Sequence, residues 1–124
     1  MLFNQSQNSL IVSRLEIADT FFSRANGLLG RNQISSDEGL LITRCNSIHM
    51  FFMKFSIDAV FLDKKNQVVG LVENIGPFQV SPVFWKADKV IELSAGSISI
   101  KKIILGNILC YSNKCPNTSL DNKK

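Results

Sequence analysis

Residues 45–63, CNSIHMFFMKFSIDAVFLD, bring together a cysteine, the chain's single histidine, two of its three methionines and the carboxylate Asp58. Cys45, His49, Met50 and Met53 are ligand types that suit Cu(I), and a Cys/His pair suits zinc. Zinc takes three or four protein ligands, so with one histidine the others would have to come from Cys110 or Asp58. No Cys-x-x-Cys or His-x-x-x-His spacing supports that. Methionines set among phenylalanines serve more often as adaptable core filler, so neither a metal nor another cofactor is expected. A Cys45 nucleophile with His49 as base would need contact at roughly 3 Å. In an extended segment four residues span about 13 Å, which separates the pair. The same geometry turns Met50 away from His49 and Met53.

Asp58 is the more informative group. Alternation in IDAVFLD puts it on the face of Val60 and Leu62. A carboxylate among apolar neighbours must be paired or hydrogen-bonded. Arg24 and Arg31, seven apart on one helix side, and His49 are the basic candidates. A structural pair or cap tying helix to sheet is the first expectation, and a functional acid beside a pocket the second. Arg24, Gly27 and Arg31 also suggest an anion site. The loop GPFQVSPVFWKA (76–87), with Phe78, Phe84 and Trp85, is ordered by its prolines and either caps the core or closes over a ligand. The expected ligand-binding set is therefore Arg24, Arg31, His49, Asp58 and Trp85. No residue is assigned as catalytic, Asp58 and His49 being the only candidates. Glu92, opposite Ile91 and Leu93, is expected to face solvent or pair with a lysine.

The elements that must position these groups are short. LIVSRLEIA (10–18) alternates as a strand, and DTFFSRANGLLGR changes to helical spacing, predicting one helix near residues 19–30. GLLIT, HMFFM, IDAVFLD, VVGLVENI, KVIELSA, IIL and ILCY read as strands. DKKNQ is a hairpin turn with Asn66 left-handed, GSISIKK a helical turn, and Gly106-Asn107 a bend. About seven strands and one helix predict a mainly β (α+β) single domain, an antiparallel sandwich or barrel with the helix packed on it. Residues 1–111 form the globular unit, and the polar stretch 112–124 is expected to be a disordered tail.

The chain of 124 residues is 45% hydrophobic and 19% charged, which is a globular composition with room for one domain. Its net charge of +4 is diluted. Lys114, Lys123 and Lys124 against Asp121 give the tail +2, leaving 11 basic and 9 acidic residues elsewhere, another +2. No basic face clusters, so a nucleic-acid partner is not expected. No segment has the length of a membrane span or signal peptide, so no membrane partner is expected. Cys45, Cys110 and Cys115, an odd number without framework density, suggest a reducing compartment and a cytoplasmic protein.

In order along the chain, RANGLLGR, GLLI, CNSIHMFFMKFSIDAVFLDKKNQVV and KADKVIELSAG resemble the family called domain of unknown function 192, over about residues 10–111. The specific parts are Arg-x-x-Gly-Leu at 24–28, His-Met-x-x-Met at 49–53, Ile-Asp at 57–58 and Glu-Leu-x-Ala-Gly at 92–96. The resemblance implies a small jelly-roll-like β sandwich with an attached helix, and no activity. Where many relatives would have Gly-Asp this chain has Gly106-Asn107. The function expected is a non-catalytic, monomeric module that binds a small molecule or protein segment in a cleft near His49, Asp58 and the 76–87 loop. The alternatives are a hydrolase or lyase acting on an anionic substrate with Asp58 or His49 as acid/base, and a nucleic-acid-binding accessory protein.

Overall fold

The apolar runs at 57–62 and 89–94 show no wet face, and such strands belong where a sheet is covered on both sides. The computed structural model describes residues 1–19, 31–111 and Cys115. The strands are β1 (Leu2–Asn4), β2 (Ser9–Val12), β3 (Arg14–Ala18), β4 (Glu38–Thr43), β5 (Ile57–Leu62), β6 (Val68–Ile75), β7 (Lys89–Ser94) and β8 (Leu109–Cys110); the helical turn α1 is Ser97–Ile100. They form a three-stranded sheet in the order β2-β1-β8 and a five-stranded sheet in the order β3-β4-β7-β5-β6. Among the described residues the pairings are antiparallel except β3 with β4. A parallel pair needs a long crossover, and the stretch between Ala18 and Glu38 supplies it.

The larger sheet carries a core on each face. Val60, Leu62, Ile91 and Leu93 meet Leu2, Ile11 and Val12 of the smaller sheet, with Ile98 and Ile103 alongside. On the opposite face Ile57, Ala59, Phe61 and Val90 are covered by Ile48, Met50 and Ile34. This is a mainly β sandwich with a second apolar layer made by loops. Gly70 lets Phe84 lie directly on β6, since a Cβ there would collide with the ring. Phe84 then packs on Phe61 with centroids 4.5 Å apart.

Several sequence expectations change. The 10–18 strand divides at Ser13 into two strands, one in each sheet. β1 adds a strand with no sequence signature, because LFN is too short to show a period. IIL is not a strand, for Ile103 to Leu105 belong to the turns after α1. The helix predicted near 19–30, including Arg24, and the tail apart from Cys115 lie outside the described residues. Cys110 and Cys115, expected to be reduced, form a disulfide with a Cα separation of 5.4 Å. The odd cysteine count thus concealed one bridge, with Cys45 outside it. The ground for a reducing compartment therefore falls away. No helix among the described residues is long and apolar enough to cross a membrane.

Candidate functional site

His49 and Val80 form an isolated antiparallel bridge between the 45–55 and 76–87 loops. Around it Met50 N–H donates to the Gln79 carbonyl, Phe78 N–H to the Met50 carbonyl and Ser81 N–H to the Ile48 carbonyl, each at 2.8 Å. The buried Ser81 hydroxyl accepts the Ile48 N–H, also at 2.8 Å. Two loops without regular secondary structure are thus zipped into a ladder, and ladder alternation sorts their side chains. Ile48 and Met50 point into the core, whereas His49 and Phe51 point out and stack with centroids 4.9 Å apart. Phe52, Phe78 and Trp85 are 75%, 74% and 85% exposed, and Val80 is exposed as well.

Phe78 is held unusually. Gln79 N–H returns to the Gly76 carbonyl, closing a turn with Pro77 second and Phe78 third. Phe78 has φ 66°, the left-handed value that this turn position normally reserves for glycine. A bulky residue there costs roughly 1–2 kcal/mol, and its ring gains little burial in return. The two loops hold Lys54, Lys86 and His49 and no carboxylate.

Asp58 lies elsewhere. It is fully buried on the inter-sheet face. One carboxylate oxygen accepts Asn74 N–H at 2.8 Å; the other accepts Gly96 N–H at 3.1 Å and Ile98 N–H at 2.8 Å. Asn74, at φ 52°, sits in a β-bulge opposite Asp58, so the carboxylate takes up the N–H that the bulge withdraws from the ladder. Among the described residues its partners are backbone amides, a structural cap between β6 and the start of α1. His49 belongs to the loop layer that covers the opposite face of the sheet, so the two are not brought together.

Arg31 donates to both oxygens of Glu38, at 3.1 and 3.3 Å. Ser35 N–H first, and then Arg31, hold the Glu38 carboxyl below its ordinary range against a partial desolvation. Arg14, Glu16, Arg31, Ile34, Glu38 and Leu40 line a recess of about 90 Å³. Among these described residues two cations face two carboxylates, while Arg24 and Gly27 of the expected anion site lie outside the described residues. Trp85 and His49 are both exposed on the two zipped loops, whereas Asp58 is buried between the sheets and Arg31 lines the recess. Cys45 packs on the inner cluster, with its Sγ 3.0 Å from the Ser47 carbonyl, while His49 faces solvent.

Sequence reasoning missed Glu92. Expected at the surface, it is 7% exposed, in the middle of the sheet between its register partners Leu40 and Ala59. Alternation separates two faces of a strand but does not say that either is wet, and here both are covered. Burial pushes its carboxyl up to about 7. Among the described residues no side-chain hydrogen bond or ion pair reaches it. Such a group can hold or release a proton near neutrality. The signal available in sequence was its position between the apolar pair Val90-Ile91 and Leu93.

Comparison with known proteins agrees with this architecture. A UPF0127 protein of Thermococcus sibiricus is 35% identical over 111 residues, 86% of this chain and 71% of that protein. A UPF0127 protein of Pyrococcus abyssi is 34% identical over 110 residues, covering 86% of this chain and 93% of its own length. The crystal structure of a protein of unknown function from Novosphingobium aromaticivorans superposes with a TM-score of 0.80 at 21% identity, covering 89% of this chain and 83% of that one. The family model described as uncharacterized ACR, domain of unknown function 192, matches residues 2–109. The chain belongs to the DUF192 family.

Proposed function

We propose that this protein is a non-catalytic binding module whose contact surface is the aromatic face formed by His49, Phe51, Phe52, Phe78, Val80 and Trp85. One observation carries the reading: Phe78 occupies a left-handed turn position with its ring in water. Neither backbone comfort nor core packing accounts for a phenylalanine there, and strained residues of this kind gather at sites of recognition. Aromatic side chains are the usual anchors of protein interfaces. The partner that fits is a polypeptide segment with apolar side chains and acidic flanks. Its hydrophobic groups would seat on the rings and its carboxylates would meet Lys54 and Lys86, since neither loop offers a competing acid. The expected cleft shared by His49 and Asp58 gives way in this reading to an open surface.

The test is to pan a random peptide display library on the native protein, then on a Phe78→Ala/Trp85→Ala variant. Peptides enriched on the native protein should pair aromatic or aliphatic residues with Asp or Glu, and the variant should lose at least about tenfold in affinity. Absence of enrichment, or peptides indifferent to both substitutions, would refute the assignment.

A further inference from the structure

A second apolar surface follows α1 and has a different chemistry. Ile98 and Ile103 point into the core, but Ile100, Ile104 and Leu105 are 74%, 57% and 62% exposed. Lys101 and Lys102 lie between them, and no Asp or Glu occurs from Leu93 to Leu120. The Asp37 carboxylate, from the loop before β4, is within electrostatic reach of Lys101, leaving Lys102 the less compensated charge. The backbone beneath is fixed from within. Ile103 N–H donates to the Ile98 carbonyl at 3.0 Å, and Asn107 N–H to the Ile104 carbonyl at 3.2 Å, closing a turn with Leu105 and Gly106 at its corners. Gly106 has φ 91°, and Lys102 takes φ 58°. Gln7 Nε2 donates to the Lys102 carbonyl at 2.6 Å. The buried Asn107 Oδ1 accepts Ile104 N–H at 3.0 Å, Asn4 Nδ2 at 2.9 Å and Gln7 Nε2 at 3.1 Å.

A buried polar network thus holds three aliphatic side chains in water. The amides of Ile103, Ile104, Gly106 and Asn107 are already used, so the surface offers hydrocarbon and ammonium groups and little that is directional. We propose that the 100–105 turn is a peripheral contact for an anionic lipid bilayer, with Ile100, Ile104 and Leu105 entering the headgroup region and Lys101 and Lys102 meeting lipid phosphates. A polypeptide partner would be read through directional hydrogen bonds or ring packing, and this turn offers no aromatic ring. A bilayer asks only for apolar area with positive charge beside it. The turn is already ordered, so binding need not fold it. The expectation of no membrane partner rested on the lack of a spanning segment, which a surface contact does not require.

The experiment is co-sedimentation of the full chain with vesicles of phosphatidylcholine alone or mixed with phosphatidylglycerol, at low and high salt. The expected result is binding to the anionic vesicles at least about tenfold tighter than to neutral ones, weakened by salt. Ile104→Ser/Leu105→Ser and Lys101→Glu/Lys102→Glu should each abolish it with the thermal transition retained. Phe78→Ala/Trp85→Ala should bind as the native protein does. Fluorescence of Trp85, the single tryptophan, gives a readout on the native chain: its emission should stay put as vesicles are added. Failure to sediment with anionic vesicles would overturn the proposal. So would sedimentation undiminished in either turn variant, or a blue shift of Trp85 that puts the aromatic face into lipid instead.

Discussion

Asp58 and Glu92 are carboxylates on adjacent strands, both out of water, with opposite surroundings. Asp58 receives three backbone N–H groups, and Glu92 sits between Leu40 and Ala59 with its acidity weakened by burial. Asp58→Ala should destabilise the protein by about 2–4 kcal/mol, because three backbone donors, that of Ile98 buried, lose their acceptor at once. Urea denaturation checks this, and a loss under about 1 kcal/mol would mean that water replaces the carboxylate without difficulty. Glu92 makes a pH prediction. Its carboxyl ionises near 4.5 in an unfolded chain and near 7 in the folded one. Between those values the folded state retains the proton that the unfolded state has released. Stability therefore falls as pH rises through this window, by up to roughly 3 kcal/mol once pH passes about 7. Glu92→Gln should flatten that slope and melt higher than the native protein at pH 8. Parallel stability–pH curves for the two proteins would show that Glu92 does not titrate in the window.

At the scale of elements, legibility followed the length of the apolar run. β5 and β7 were readable because six and five consecutive buried positions leave a mostly hydrophobic run, broken only by Asp58 in one and by Lys89 and Glu92 in the other. The Asn66 turn was readable because it needs a left-handed residue, and it has one at φ 63°. β1 was not, since a three-residue strand has no period, whereas β8 was legible as part of ILCY although its pairing with β1 across almost the whole chain was not. The Phe78 turn misled for a related reason: glycine, not phenylalanine, announces such a position. Asp58 could be read as a buried cap, but its partners are backbone groups that composition cannot reveal. The Cys110–Cys115 bridge closes β8 and supports a two-residue strand that ladder bonds alone hold weakly. Thiol titration of the denatured, unreduced protein should find one free cysteine per chain, Cys45. Reduction should lower stability by about 2 kcal/mol, the modest effect of so small a loop. Three titratable thiols, or a melting temperature indifferent to reductant, would contradict this.

The whole molecule divides its sequence between stability and display. The five-stranded sheet, buried on both faces, supplies the hydrophobic driving force. The zipped loops and the turn after α1 hold large apolar side chains in water on fixed backbones. Folding alone gains nothing from that arrangement, so residues on these surfaces should behave differently from core residues when replaced. Phe78 offers the cleanest case. Glycine at a left-handed position relieves roughly 1–2 kcal/mol of backbone strain, at an entropic cost of about 0.5–1 kcal/mol in the unfolded chain. The ring lost was mostly in water. Phe78→Gly should therefore leave stability unchanged or raise it by up to about 1 kcal/mol, where a core Phe→Gly would cost several. The same variant should bind the acidic peptides selected on the native protein at least about tenfold more weakly. Gain or neutrality in stability with loss of binding is the signature of a residue kept for recognition at the expense of the fold. A drop in melting temperature comparable to that of a core truncation would instead make Phe78 a packing residue and remove the main support for the aromatic face as a contact surface.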